Sequence, residues 1–98
     1  MCHRWVTVLH MDARQRSIWS DQLAATIRAE RSAAGLTQSE MVTRTGIARS
    51  TYVRMEKGER VADITQIGLI CQALKLPLST FMRRVEERVT QVDDAVID

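Results

Sequence analysis

The chain has 98 residues, one domain's length, with 45% hydrophobic and 27% charged residues; these proportions suit a folded soluble protein and exclude a disordered one. Four glycines and one proline are few for a fold of tight hairpins, two cysteines make neither a disulfide framework nor a zinc-ligand spacing, and no apolar run nears the ~18 residues of a membrane span. The formal net charge is only +2 but is unevenly spread: residues 28–60 hold seven basic and four acidic side chains and residues 61–98 hold four basic and six acidic, which fits a nucleic-acid partner for the middle segment.

Residues 1–17 carry no helical period and read as an N-terminal arm. Arg4 to Leu9 can form a short strand or pack as an extended arm. The apolar run Trp5–Leu9 is too short for a secretion signal and is followed by His10, Asp12 and Arg14, so a cytoplasmic location is expected. Cys2, His3 and His10 are too scattered for a metal site, and Cys71 reads as a small core residue of a reduced protein. No metal and no cofactor are expected.

From Trp19 the pattern turns helical, with Trp19, Leu23, Ile27 and Ala34 as the inward stripe, Ser17 or Ser20 as the cap and Gly35 as the stop. Thr37 followed by Glu40 makes a capping box for a second helix of barely two turns, with Met41 and Val42 inward and Gly46 at its end. Two turns do not form alone in water, so packing must hold them. A third helix is predicted from Ala48 to Lys57, stopping at Gly58, with Tyr52 and Met55 inward and Arg49, Ser50, Val53, Arg54 and Lys57 around the other sides. A fourth runs from the cap Asp63 to Leu74 on a stripe of Ile64, Ile67, Ile70, Cys71 and Leu74. Leu76-Pro77-Leu78 then connects to a fifth, capped by Ser79 and running through Phe81, Met82 and Val85 to about Arg88. The boundaries expected are an arm over 1–17, a domain over 18–89 and a frayed acidic tail over 90–98.

The second and third helices, joined by Thr45-Gly46-Ile47, have the layout that lets one helix enter the major groove while the other braces across the backbone. Here the chain resembles the lambda-repressor-like, Cro- and XRE-type helix-turn-helix family. The matching residues are Arg31, then Gly35-Leu36-Thr37-Gln38-Ser39-Glu40-Met41, then Gly46 through Gly58, with Ile64–Leu74 and Leu76–Met82 completing a likeness over roughly residues 19–84. It departs from the family at Ala48, where a small polar cap is usual, at Val61-Ala62, where Asn-Pro is frequent, and in the residues before the first helix.

The resemblance implies an all-α, compact five-helix domain with a short N-terminal arm. It implies that Arg49, Ser50, Val53 and Arg54 read bases. A guanidinium such as that of Arg49 bonds bidentately to guanine O6 and N7, a serine hydroxyl serves base or phosphate, and valine meets a thymine methyl. Gln38, with Thr37 before it, and Arg44, Lys57 and Arg60 are implied for the DNA backbone. Arg31 and Glu56 are implied as a partly buried structural pair between the first and third helices.

No nucleophile with a base, paired acid, phosphate-cradling loop or metal cluster points to an enzyme. The expected function is a sequence-specific regulator of transcription on double-stranded DNA, in the sense of a repressor, acting as a homodimer. The alternative is an antitoxin-type regulator that also holds a protein partner through the N-terminal arm. The dimer contact is sought among Val85, Val89, the 61–62 loop and Trp5; Trp5 can equally cap its own domain.

Overall fold

The computed structural model describes residues 13–97, with side chains over 17–92. The described residues form five helices and no strand: α1 (Ala13–Ala33), α2 (Gln38–Thr45), α3 (Arg49–Glu56), α4 (Ile64–Leu74) and α5 (Leu78–Ile97). The arm segment Arg4–Leu9, with Trp5, and Cys2, His3 and His10 lie outside them.

The capping signals act largely where the sequence places them. The Thr37 hydroxyl accepts from the Glu40 N–H at 3.1 Å, and the Glu40 carboxylate accepts from the Thr37 N–H at 2.9 Å. The bond from the Thr37 N–H, with the Thr37 side chain beside it, holds the Glu40 carboxyl below the usual carboxylate range. Asp63 and Gln66 make the same reciprocal box at the start of α4. Gly35 ends α1 at φ +71°, with the Leu36 N–H reaching back to the Arg31 carbonyl at 3.1 Å. At the end of α4 Lys75 takes the same left-handed conformation, φ +56°, which a side chain tolerates less well than glycine. The α5 start differs from expectation: its first turn closes on the Pro77 carbonyl, which accepts from the Phe81 N–H at 3.0 Å. Ser79 therefore lies inside the helix and not at its cap, because proline with its preset φ enters a helix readily and leaves its carbonyl free.

One core unites the elements. Ile18, Leu23 and Ile27 of α1, Met41 of α2, Tyr52 and Met55 of α3, Ile67, Ile70 and Cys71 of α4, and Phe81, Val85 and Val89 of α5 are all buried. α1 packs chiefly on α5 and also on α3, while α2 lies against α4 and α3. An Arg84–Glu30 ion pair of 2.6 Å ties α5 to α1 at the surface. The free Cys71 is buried, and burial pushes its thiol pKa up.

Several sequence expectations change here. α1 begins at Ala13, ahead of both candidate caps, and Ser17 sits within it. Its inward stripe is Ile18, Leu23, Ala24 and Ile27, while Trp19 is 45% exposed and Ala34 is exposed beyond the helix end. Trp19 lies at the rim, beside Ser79, Met82, Arg83 and Glu86, because the face turned to α5 is set by Ile18 and not by its neighbour one residue on. Ile64 is exposed: at the first position of α4 it stands outside the stripe that Ile67, Ile70 and Cys71 continue. α5 runs to Ile97, past the expected end near Arg88. Phe81, Val85 and Val89, four residues apart on one helical face, carry it along α1.

Candidate nucleic-acid interface

The turn between α2 and α3 is set by three short contacts. Gly46 adopts φ +73°, and its N–H donates to the Val42 carbonyl at 2.9 Å; a residue with Cβ is disfavoured there. Thr45, itself buried, donates its hydroxyl to the Met41 carbonyl at 2.7 Å and accepts the Ile47 N–H at 3.2 Å. Ile47 is buried as well, so the chain leaves the turn pinned to the core and α3 starts in a defined direction.

At 3.6 residues per turn α3 divides cleanly. Tyr52, Met55 and Glu56 are buried on one side. Around the rest of the helix Arg49, Ser50 and Arg54 are exposed and Val53 is partly so. Ala48 supplies no side-chain cap, so the first-turn N–H groups of α3 stay open to outside acceptors. Lys57 and Arg60 follow, both exposed. Among the described residues no carboxylate lies within ion-pair reach of Arg49, Lys57 or Arg60, and Arg54 has only a long 4.0 Å contact with exposed Glu59.

The inner side of α3 holds a polar joint. Arg31 of α1 grips Glu56 with two bonds, Nε to Oε2 at 2.7 Å and Nη2 to Oε1 at 3.2 Å, and its Nη1 donates to the Leu36 carbonyl at 2.8 Å. Gln38 of α2 donates to the same Glu56 carboxylate at 3.1 Å, and Arg28 of α1 donates to the Glu56 backbone carbonyl. Thus α1, α2 and α3 all meet on one residue. Burial would raise the Glu56 carboxyl, but the bonds from Arg31, with Tyr52 and Gln38 beside it, outweigh burial and hold it below the usual range. The Arg31 guanidinium is raised in turn by Glu56. Tyr52 is pushed far above the ordinary phenol value, first by burial and then by the neighbouring carboxylate; its hydroxyl is buried without a hydrogen bond of normal geometry to any described group.

The residues singled out in the sequence thus fall into two sets. Arg49, Ser50, Val53, Arg54, Lys57 and Arg60 lie on the outer surface of α3 and the turn after it, and Thr37 is exposed at the head of α2. Arg31 and Glu56 are joined inside, and Gln38, expected only at the DNA backbone, is a member of that joint. Arg44 faces another way: its Nη1 donates to the Ala73 carbonyl at 3.3 Å, at the carboxyl end of α4, where a cation offsets the helix dipole. Two residues escaped the sequence reading. Arg28 stands in the sequence only as one of the seven basic residues of 28–60, and Ser39, which accepts from Arg49 Nη2 at 3.0 Å, is ten residues from its partner, a spacing no helical period reports. Among the described residues no group of three or more His, Cys, Asp or Glu side chains is arranged to hold a metal ion, and no helix is long and apolar enough to cross a membrane.

The model of the helix-turn-helix domain family matches residues 22–81, well over half of the chain. The chain belongs to the helix-turn-helix family. The match begins in α1 and ends at Phe81 in α5, so it spans both motif helices and the joint that supports them. No curated protein sequence matches the chain. Among solved structures, the wild-type restriction-modification controller protein C.Esp1396I superposes with a TM-score of 0.69 at 18% identity, over 74% of this chain and 95% of that one. The tetramer of the same controller protein, solved in complex with its natural 35 base-pair operator, gives the same values. The clp gene regulator ClgR from Corynebacterium glutamicum superposes with a TM-score of 0.70 at 18% identity, over 81% of this chain and 88% of that one. At such identities the likeness establishes the fold: a helix-turn-helix embedded in five helices.

Proposed function

We propose that the protein is a sequence-specific double-stranded DNA-binding regulator of transcription, with α3 as the reading helix. The observation that carries this reading is the outer face of α3, where Arg49, Ser50, Val53 and Arg54 form one exposed arc with no described carboxylate close enough to neutralise Arg49. A helix ~10–12 Å across matches a major groove ~12 Å wide. Arg49 reads guanine, Ser50 and Val53 contact neighbouring base edges, and Arg54 reaches base or phosphate. Lys57 and Arg60, with Thr37 at the head of α2, lie against the phosphates, and Gln38 offers them the amide hydrogen that it does not give to Glu56.

The binding unit is a homodimer, because one small domain buries less surface than the ~1,000 Å² a specific site usually needs. Val85 and Val89 are excluded from the dimer contact, since both are buried within the chain. Exposed Val61 remains available at the 61–62 loop, next to exposed Ile64, whereas Ala62 is turned inward. A dimer occupying its site excludes other proteins from it, so repression is the expected sense. The similar solved structures, one of them an operator complex and another a gene regulator, support the same reading.

The test is selection of bound duplexes from a random pool, followed by titration of Arg49→Ala against the enriched site and its single-base variants. A palindromic consensus and a loss of roughly 1–3 kcal/mol confined to one base pair per half-site are expected. Failure to enrich any sequence, or an equal loss on every duplex, overturns the assignment.

A further inference from the structure

We infer that Ser39 is the positioning residue for Arg49, holding its guanidinium over the reading face and thereby sharpening the base preference at that position. This rests on the reading of α3 proposed above. Arg49 is the first residue of α3 and is exposed, and Arg49 Nη2 donates to Ser39 Oγ at 3.0 Å from the adjacent helix. An exposed arginine otherwise samples many rotamers and loses that freedom on binding. Here part of the ordering is done before DNA arrives, as preorganisation requires.

The chemistry of the pair suits the task. Ser39 is neutral, so it orients the guanidinium without cancelling the charge that attracts DNA. The nearest acid in sequence, Glu40, is engaged with the Thr37 backbone N–H at 2.9 Å. A guanidinium offers two edges for bidentate bonding, Nε with Nη2 and Nη1 with Nη2. Whichever Nη2 hydrogen goes to Ser39, one complete edge is left for the O6 and N7 of a guanine. The Ser39 hydroxyl hydrogen also stays free to donate to a phosphate or water. Because α2 and α3 are held at a fixed angle by the Gly46 turn and the Glu56 joint, a hydroxyl on α2 is a rigid reference point for a side chain on α3.

The experiment uses the full chain, the enriched duplex, its variants at the base pair that Arg49 reads, and a scrambled duplex. Ser39→Ala should lower the preference ratio at that one base pair roughly 2- to 10-fold, the range of a single hydrogen bond. Ratios elsewhere and the thermal midpoint should stay unchanged, and Ser39→Thr should restore the ratio. In an Arg49→Ala background, Ser39→Ala should have no further effect at that base pair. An equal loss on all duplexes after Ser39→Ala, no loss, or an effect that persists without Arg49 overturns the assignment while leaving Arg49 as a reader. If Arg49→Ala itself leaves every preference intact, the reading of α3 falls and this assignment falls with it.

Discussion

The two sides of α3 carry the same kinds of group and use them in opposite ways. Inside, Glu56 gathers Arg31, Gln38 and the peptide-carbonyl bond from Arg28, so each cation there has a partner and the charges stay within the fold. Outside, Arg49 is held only by a neutral hydroxyl, and Lys57 and Arg60 have no described acid in reach. Arginine as a residue type says nothing about which role it plays. Its partner decides: a carboxylate or helix-end carbonyl turns it into a brace, and the lack of one leaves its charge for a polyanion. The inner joint matters to the outer face because Gln38 and Glu56 sit at the head of one motif helix and the foot of the other.

The strongest test of that division removes the centre of the joint. Glu56→Ala leaves Arg31, whose side chain is 19% exposed in the intact pair, without its carboxylate partner and with only the Leu36 carbonyl as acceptor. Loss of one member of a largely buried pair is expected to cost about 3 kcal/mol, read as a shift of the urea midpoint at constant slope. Ser50→Ala on the outer side should stay within about 0.5 kcal/mol. Similar losses for the two substitutions would show that the joint does not brace the motif.

Of the two sides of α3, acid should act on the inner one. The folded Glu56 carboxyl lies below its ordinary value, so the unfolded chain takes up this proton first as pH falls. The stabilisation is therefore complete above the ordinary carboxylate range and is lost as pH drops through the lower, folded value. Glu56→Gln should make the acid limb of stability shallower by up to about 1.4 kcal/mol per pH unit, the most that one proton can contribute. Unfolding curves collected between neutral and strongly acidic pH check this; an unchanged limb would mean that other acids govern it.

The smallest expected effects separate Arg44 from Lys57. Arg44→Ala removes a bond to the carboxyl end of α4 and should cost about 1 kcal/mol of stability, with the salt dependence of DNA binding unaltered. Lys57→Ala should leave stability within about 0.5 kcal/mol and lower the salt slope by about 1. A lower slope after Arg44→Ala would move that residue to the DNA-facing set, where the resemblance alone had placed it.

Local chemistry made much of the architecture legible. The Thr37–Glu40 box, the Asp63 cap and the glycines at 35 and 46 are signals between residues a few positions apart, and each appears in the structure because the hydrogen bonds involved close within one turn. The inward pair Tyr52 and Met55 follows from helical geometry in the same way. What spacing along the chain does not encode is which surface a long side chain meets. Trp19 fits a helical stripe yet lies at the rim of α5, and Val85 and Val89 read equally well as a free apolar face or as the face that α1 covers. Ser39 meets Arg49, Gln38 turns to Glu56 and Arg44 reaches Ala73 only because the turn and core fix the helices at particular angles. Those pairings join residues 10 to 29 positions apart, and only tertiary packing could decide them.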